Sequence, residues 1–103
     1  MTQVERIKAM EKHFQESEVA IKKMQEALLV YEEAQGAWKK LCDYYGSVKW
    51  MQDYEDDQLG KLPKGLKRGV LSEDGVYDLI QEHHEITSRL LKIIAKNVEG
   101  YRG

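Results

Sequence analysis

Residues 3–45, QVERIKAMEKHFQESEVAIKKMQEALLVYEEAQGAWKKLCDYY, carry one seven-residue apolar repeat with no proline in it. One register of the repeat reads Ile7, Phe14, Ile21, Leu28, Gln35, Cys42. The other reads Gln3, Met10, Ser17, Met24, Tyr31, Trp38, Tyr45. Only Gln3, Ser17 and Gln35 interrupt it. A spacing of ~3.5 residues held this long predicts a long helix with one sticky seam. Thr2 and Glu5 have the spacing of a capping box, so helix 1 is expected from about Thr2 to Tyr45. At ~1.5 Å per residue such a rod is about 65 Å long. A compact domain of this size has a radius of gyration near ~13 Å, so the rod overhangs its own domain or bends. Gly36 is the weak point in its interior. Leu29 and Val30 lie off the seam and make 27–31 apolar nearly all round, a pattern that asks for more than one neighbour.

Working outward, the chain has 103 residues and one proline, Pro63, which leaves room for a single helical domain, 1–103. Gly46 ends helix 1. Ser47 can cap a short helix, about 48–58, with Trp50, Met51 and Tyr54 on its apolar side. Glycines and the proline keep regular helix out of the connector, 59–71. Ser72 is expected to cap helix 2, about 72–98, with Glu73 and Asp74 in its first turn, where acids favour the helix dipole. Its stripe is Val76, Leu79, Ile80, His83, Ile86, Leu90, Ile93, Ile94, Asn97. The expected fold is therefore all-α: a long N-terminal helix packed lengthwise against a C-terminal one, with a coiled-coil-like seam, a short middle helix and an ordered connector.

Charge narrows the function. The net charge is −2, without the basic bias of a general nucleic-acid binder. The distribution is uneven. Residues 46–60 set Lys49 against Asp53, Glu55, Asp56 and Asp57, whereas 61–71 hold Lys61, Lys64, Lys67 and Arg68 with no acid. Adjacent patches of opposite sign are read as closing the connector on itself. One cysteine, Cys42, excludes an intramolecular disulfide. The charged N-terminus lacks the apolar stretch of a signal peptide, and no apolar run is long enough for a membrane span. A cytoplasmic setting is expected.

No catalytic or metal-ligating set emerges, and no cofactor is implied. His83 and His84 are adjacent on a helix and point about 100° apart, so they lack the i, i+4 spacing of a helical zinc pair. The glycines at 65, 69 and 75 fit no phosphate loop. Asp53 and Asp57 share a helix face and could hold a cation or serve acid–base chemistry. The candidate binding residues are Trp50, Asp53, Tyr54, Asp57, Lys67, Arg68, Ser72, Glu73, Asp74 and Tyr77.

The run Tyr44-Tyr45-Gly46, then Trp50, Asp53-Tyr54, Asp57, Leu62-Pro63, and above all Arg68-Gly69-Val70-Leu71-Ser72-Glu73-Asp74-Gly75-Val76-Tyr77-Asp78-Leu79, resembles a family of small bacterial helical proteins classed as a domain of unknown function. The resemblance spans nearly the whole chain. It implies a helical fold and a bacterial, cytoplasmic origin, and no activity. Three functions are then in view. The first is a non-enzymatic interaction protein that forms a homodimer or higher homo-oligomer through helix 1, with an additional protein partner open. The second is a small-ligand or metal-binding protein, even an enzyme, using the 53–57 acids and the 72–74 cap. The third is nucleic-acid binding through the 61–68 loop.

Overall fold

The computed structural model describes residues 2–100. All regular structure among them is helical: α1 (Gln3–Glu33), α2 (Gln35–Tyr44), α3 (Val48–Gln58), a 3-10 turn (Gly69–Leu71) and α4 (Gly75–Gly100). The chain divides into two compact units, Met1–Cys42 and Asp43–Gly103.

The first unit is built on α1. Its capping box is complete: Thr2 Oγ1 accepts from the Glu5 amide at 3.1 Å, and Glu5 Oε2 accepts from the Thr2 amide at 3.4 Å. The single helix expected from 2 to 45 is instead two, separated at Ala34. Ala34 keeps a right-handed backbone but its ψ has relaxed to −6°, away from the helical value. The Gln35 side-chain amide donates to the Tyr31 carbonyl at 3.4 Å, where the backbone ladder is interrupted. The flexible Gly36 follows directly. The seven-residue spacing resumes in register beyond this break, with Gln35 the polar exception beside it, which is why periodicity alone does not reveal it. No residue of α1 is buried. Leu29 and Val30, whose pattern asks for more than one neighbour, are 60% and 68% exposed in the single chain.

The second unit folds around the connector. Gly46 adopts φ +79°, the left-handed conformation that ends a helix without a Cβ penalty. Ser47 Oγ then accepts from the Trp50 amide at 3.1 Å and starts α3. Gly60, at φ +70°, turns the chain out of α3. The connector closes in the 3-10 turn, and that turn packs against both α3 and α4. The buried apolar side chains among the described residues, Leu71 and Val76, lie on either side of Ser72. Helix 2 was expected from Ser72 but α4 begins at Gly75. The correction has a local cause. The chain spends 69–71 in the 3-10 turn, and Ser72 caps from outside the helix, its Oγ accepting from the Gly75 amide at 3.0 Å.

Candidate functional site

Most of the candidate residues meet at the junction of α3, the 3-10 turn and the start of α4. The reason is the period of α3. Trp50, Tyr54 and Asp57 recur every three to four residues and so present one face. Trp50 Nε1 donates to the Val70 carbonyl at 2.9 Å. Tyr54 donates its hydroxyl to Glu73 Oε1 at 3.2 Å. Asp57 receives Arg68 Nη1 at 2.5 Å. Three successive turns of α3 thus grip the turn at three points.

Arg68 does more than pair a charge. Its second nitrogen, Nη2, donates to the Pro63 carbonyl at 3.1 Å and to the Lys64 carbonyl at 3.3 Å. A planar guanidinium can serve a carboxylate and two carbonyls together, which a lysine ammonium cannot match in geometry. The Asp57 side chain is 12% exposed, and Arg68 Nη1 is its ion-pair partner. A second link, Lys61 Nζ to Asp56 Oδ1 at 4.0 Å, is solvent-exposed and weak.

The aromatic side is a ladder of rings. Tyr45 meets Trp50 edge-on at 5.1 Å, and Trp50 stacks on Tyr54 at 5.3 Å with the planes 19° apart. Both arrangements are favoured by ring quadrupoles. Asp53 does not join Asp57. It turns back to accept from the Tyr44 hydroxyl at 2.6 Å. That bond, with partial burial and the Asp53 charge adding to it, pushes the Tyr44 hydroxyl up to about 12. The Tyr54 hydroxyl is also raised, by desolvation first, then by its bond to Glu73 and by the nearby carboxylates of Glu73 and Asp57.

Ser72 is the hinge of the Gly69–Gly75 segment. Its hydroxyl donates to the Gly69 carbonyl at 2.8 Å while accepting from the Gly75 amide. The two ends of Gly-Val-Leu-Ser-Glu-Asp-Gly are therefore tied through one side chain. Gly75 is required sterically. A Cβ there would lie 2.9 Å from the Gly69 carbonyl oxygen and closer still to Ser72 Oγ. A Cβ on Gly69 would meet nothing within 4 Å.

The remaining candidates stand apart. Lys67, Asp74 and Tyr77 are exposed. Asp74 serves through its backbone, its carbonyl accepting the Asp78 amide at 2.8 Å as α4 begins. Tyr44, Tyr45, Val70 and Gly75 belong to the junction but were not among the candidates. Tyr44 and Tyr45 could have been found from the clustering of aromatics between 31 and 54. The Val70 contribution is a backbone carbonyl and has no side-chain signal. Among the described residues no group of three or more His, Cys, Asp or Glu side chains is placed to hold a metal ion. No helix among them is long and apolar enough to cross a membrane.

The model of one protein family, described as a domain of unknown function (DUF4298), matches residues 7–93. The chain belongs to that family. The match takes in the segment from Arg68 to Leu79, which in the structure builds a cap, a tight glycine and the two buried side chains of the junction. No curated protein and no solved structure matches the chain.

Proposed function

We propose that this is a non-enzymatic interaction protein of the bacterial cytoplasm that acts through helical self-association along α1, as a homodimer or higher homo-oligomer. One observation carries the reading: the heptad stripe of α1 is exposed along its length. Ile7, Met10, Phe14, Ile21, Met24 and Leu28 are each between 48% and 62% exposed. No side chain of this 31-residue helix is buried, whereas packing of an apolar face is what normally sustains helices in proteins. A long apolar stripe on a monomer is a mark of an interaction surface.

The magnitudes support this. Burying an aliphatic or aromatic side chain fully is worth ~1.5–3 kcal/mol. Half of that at six positions on each of two helices is about 9–18 kcal/mol, of the same size as the ~4–15 kcal/mol cost of association. The resemblance to a bacterial family and the single cysteine support the cellular setting. At the junction, by contrast, Trp50, Tyr54, Asp57, Arg68, Ser72 and Glu73 are bonded to one another or to backbone. Their polar groups stabilise the connector, which favours interaction along α1 over ligand binding there.

Sedimentation velocity on the wild type and on Ile21→Glu tests the reading. The wild type is expected to sediment above the monomer and the variant at it, with helical circular dichroism retained by the associated form. A wild type that sediments as a monomer at all concentrations would overturn it.

A further inference from the structure

The flanks of the α1 stripe also specify how a second copy lies. With Ile7 as a first seam position, Arg6 and His13 fall on one flank, and Glu11, Glu18 and Glu32 on the other. We propose that two α1 helices pair in parallel and in register, with Arg6 of each meeting the partner's Glu11. This orientation rests on the self-association proposed above.

Two independent features of the helix argue for it. The first is charge. In a parallel pair each flank faces the opposite flank of the other helix, five residues on, so Arg6 meets the partner's Glu11 and His13 meets the partner's Glu18. In an antiparallel pair like flanks face each other. Glu11, Glu18 and Glu32 would crowd their own kind, and Arg6 and His13 would face Ala20 and Ala27 or one another. Flanking charges of this kind choose the orientation of paired helices. Ala20 and Ala27 offer no charge to Gln25 and Glu32, so the choice is made in the first half of α1.

The second feature is the small polar residue in the stripe. Ser17 sits between Phe14 and Ile21 and leaves a shallow hollow there, bordered also by Glu18, Lys22 and Gln25. Paired in parallel, Ser17 meets the partner's Ser17, and the two hydroxyls can bond each other. The bulky Phe14 layer beside it can then spread into the space that Ser17 leaves. Gln3 likewise meets the partner's Gln3. Paired antiparallel, Ser17 must face a residue of the other register, and within α1 those are Ile7, Phe14, Ile21 and Leu28, which cannot satisfy its hydroxyl.

The test places a cysteine at the N-terminal end of the seam. In a Cys42→Ser background, Gln3→Cys is oxidised mildly and resolved on a non-reducing gel, with the mass measured in parallel by light scattering. A disulfide-linked dimer is expected as the main species, and none from the outward-facing control Lys8→Cys. Arg6→Glu is expected to weaken association about tenfold, and Arg6→Glu combined with Glu11→Arg to restore it. A protein that dimerises by light scattering, does not cross-link through position 3 and is indifferent to Arg6→Glu overturns the orientation and leaves self-association standing. A monomer overturns both.

Discussion

At the scale of single residues, the junction turns on a few atoms whose roles separate cleanly. Gly69 and Gly75 bracket the same signature, yet only the second is sterically necessary. Gly75→Ala is expected to cost about 1–3 kcal/mol, because Gly69 is backbone and cannot retreat as a side-chain tip would. Gly69→Ala should stay within about 0.5 kcal/mol. Urea midpoints of the two variants give the comparison, and equal midpoints would show that the close approach at Gly75 is not limiting. Tyr44 gives a pH signature. Its folded pKa of about 12 lies above the ordinary value of 10.0. The stability from its bond to Asp53 is therefore fully present below pH 10.0 and is lost as the pH rises toward about 12. The gap in stability between wild type and Tyr44→Phe, expected near 1 kcal/mol at neutral pH, should close across that window. A gap that persists to the top of it would contradict the bond.

At the scale of elements, Arg68 joins α3, the connector and the 3-10 turn. Arg68→Ala leaves a mostly buried Asp57 carboxylate unpaired and frees the Pro63 and Lys64 carbonyls. A loss of about 2–3 kcal/mol is expected, and Arg68→Lys should recover only a minor part of it, since a point charge cannot reach all three acceptors. Full recovery by lysine would reduce Arg68 to a simple charge. Amides 66–77 should exchange slowly with solvent in the isolated protein. Fast exchange there would contradict an ordered junction. Much of this was legible in the residues. The opposed charges of 53–57 and 61–68 foretold a closing contact, and Ser47 and Ser72 foretold caps. What was not legible depends on geometry several residues away. Asp53 turns to Tyr44 rather than to a basic residue because Gly46 reverses the chain between them. The start of α4 shifts to Gly75 because Ser72 closes the 3-10 turn, its amide donating to the Gly69 carbonyl, and caps α4 from outside. The break at Ala34 is carried by one relaxed dihedral and one side-chain bond, neither of which alters the apolar period.

At the scale of the whole molecule, the sequence pattern and the structure describe two different investments. Within residues 43–100, Trp50, Tyr54, Asp57, Arg68, Ser72 and Glu73 bond to one another or to backbone at the junction. Residues 3–33 keep a heptad stripe with nothing of their own helix to cover it. The stripe was legible from spacing alone. Its occupant was not, because periodicity records that a face is apolar and not what lies against it. The central claim is that the occupant is a second copy of the same helix. Multi-angle light scattering across a micromolar concentration range tests it most directly. The account predicts a mass at least twice the 12.0 kDa of one chain, falling toward that value on dilution. A constant mass of 12.0 kDa at every concentration would contradict it.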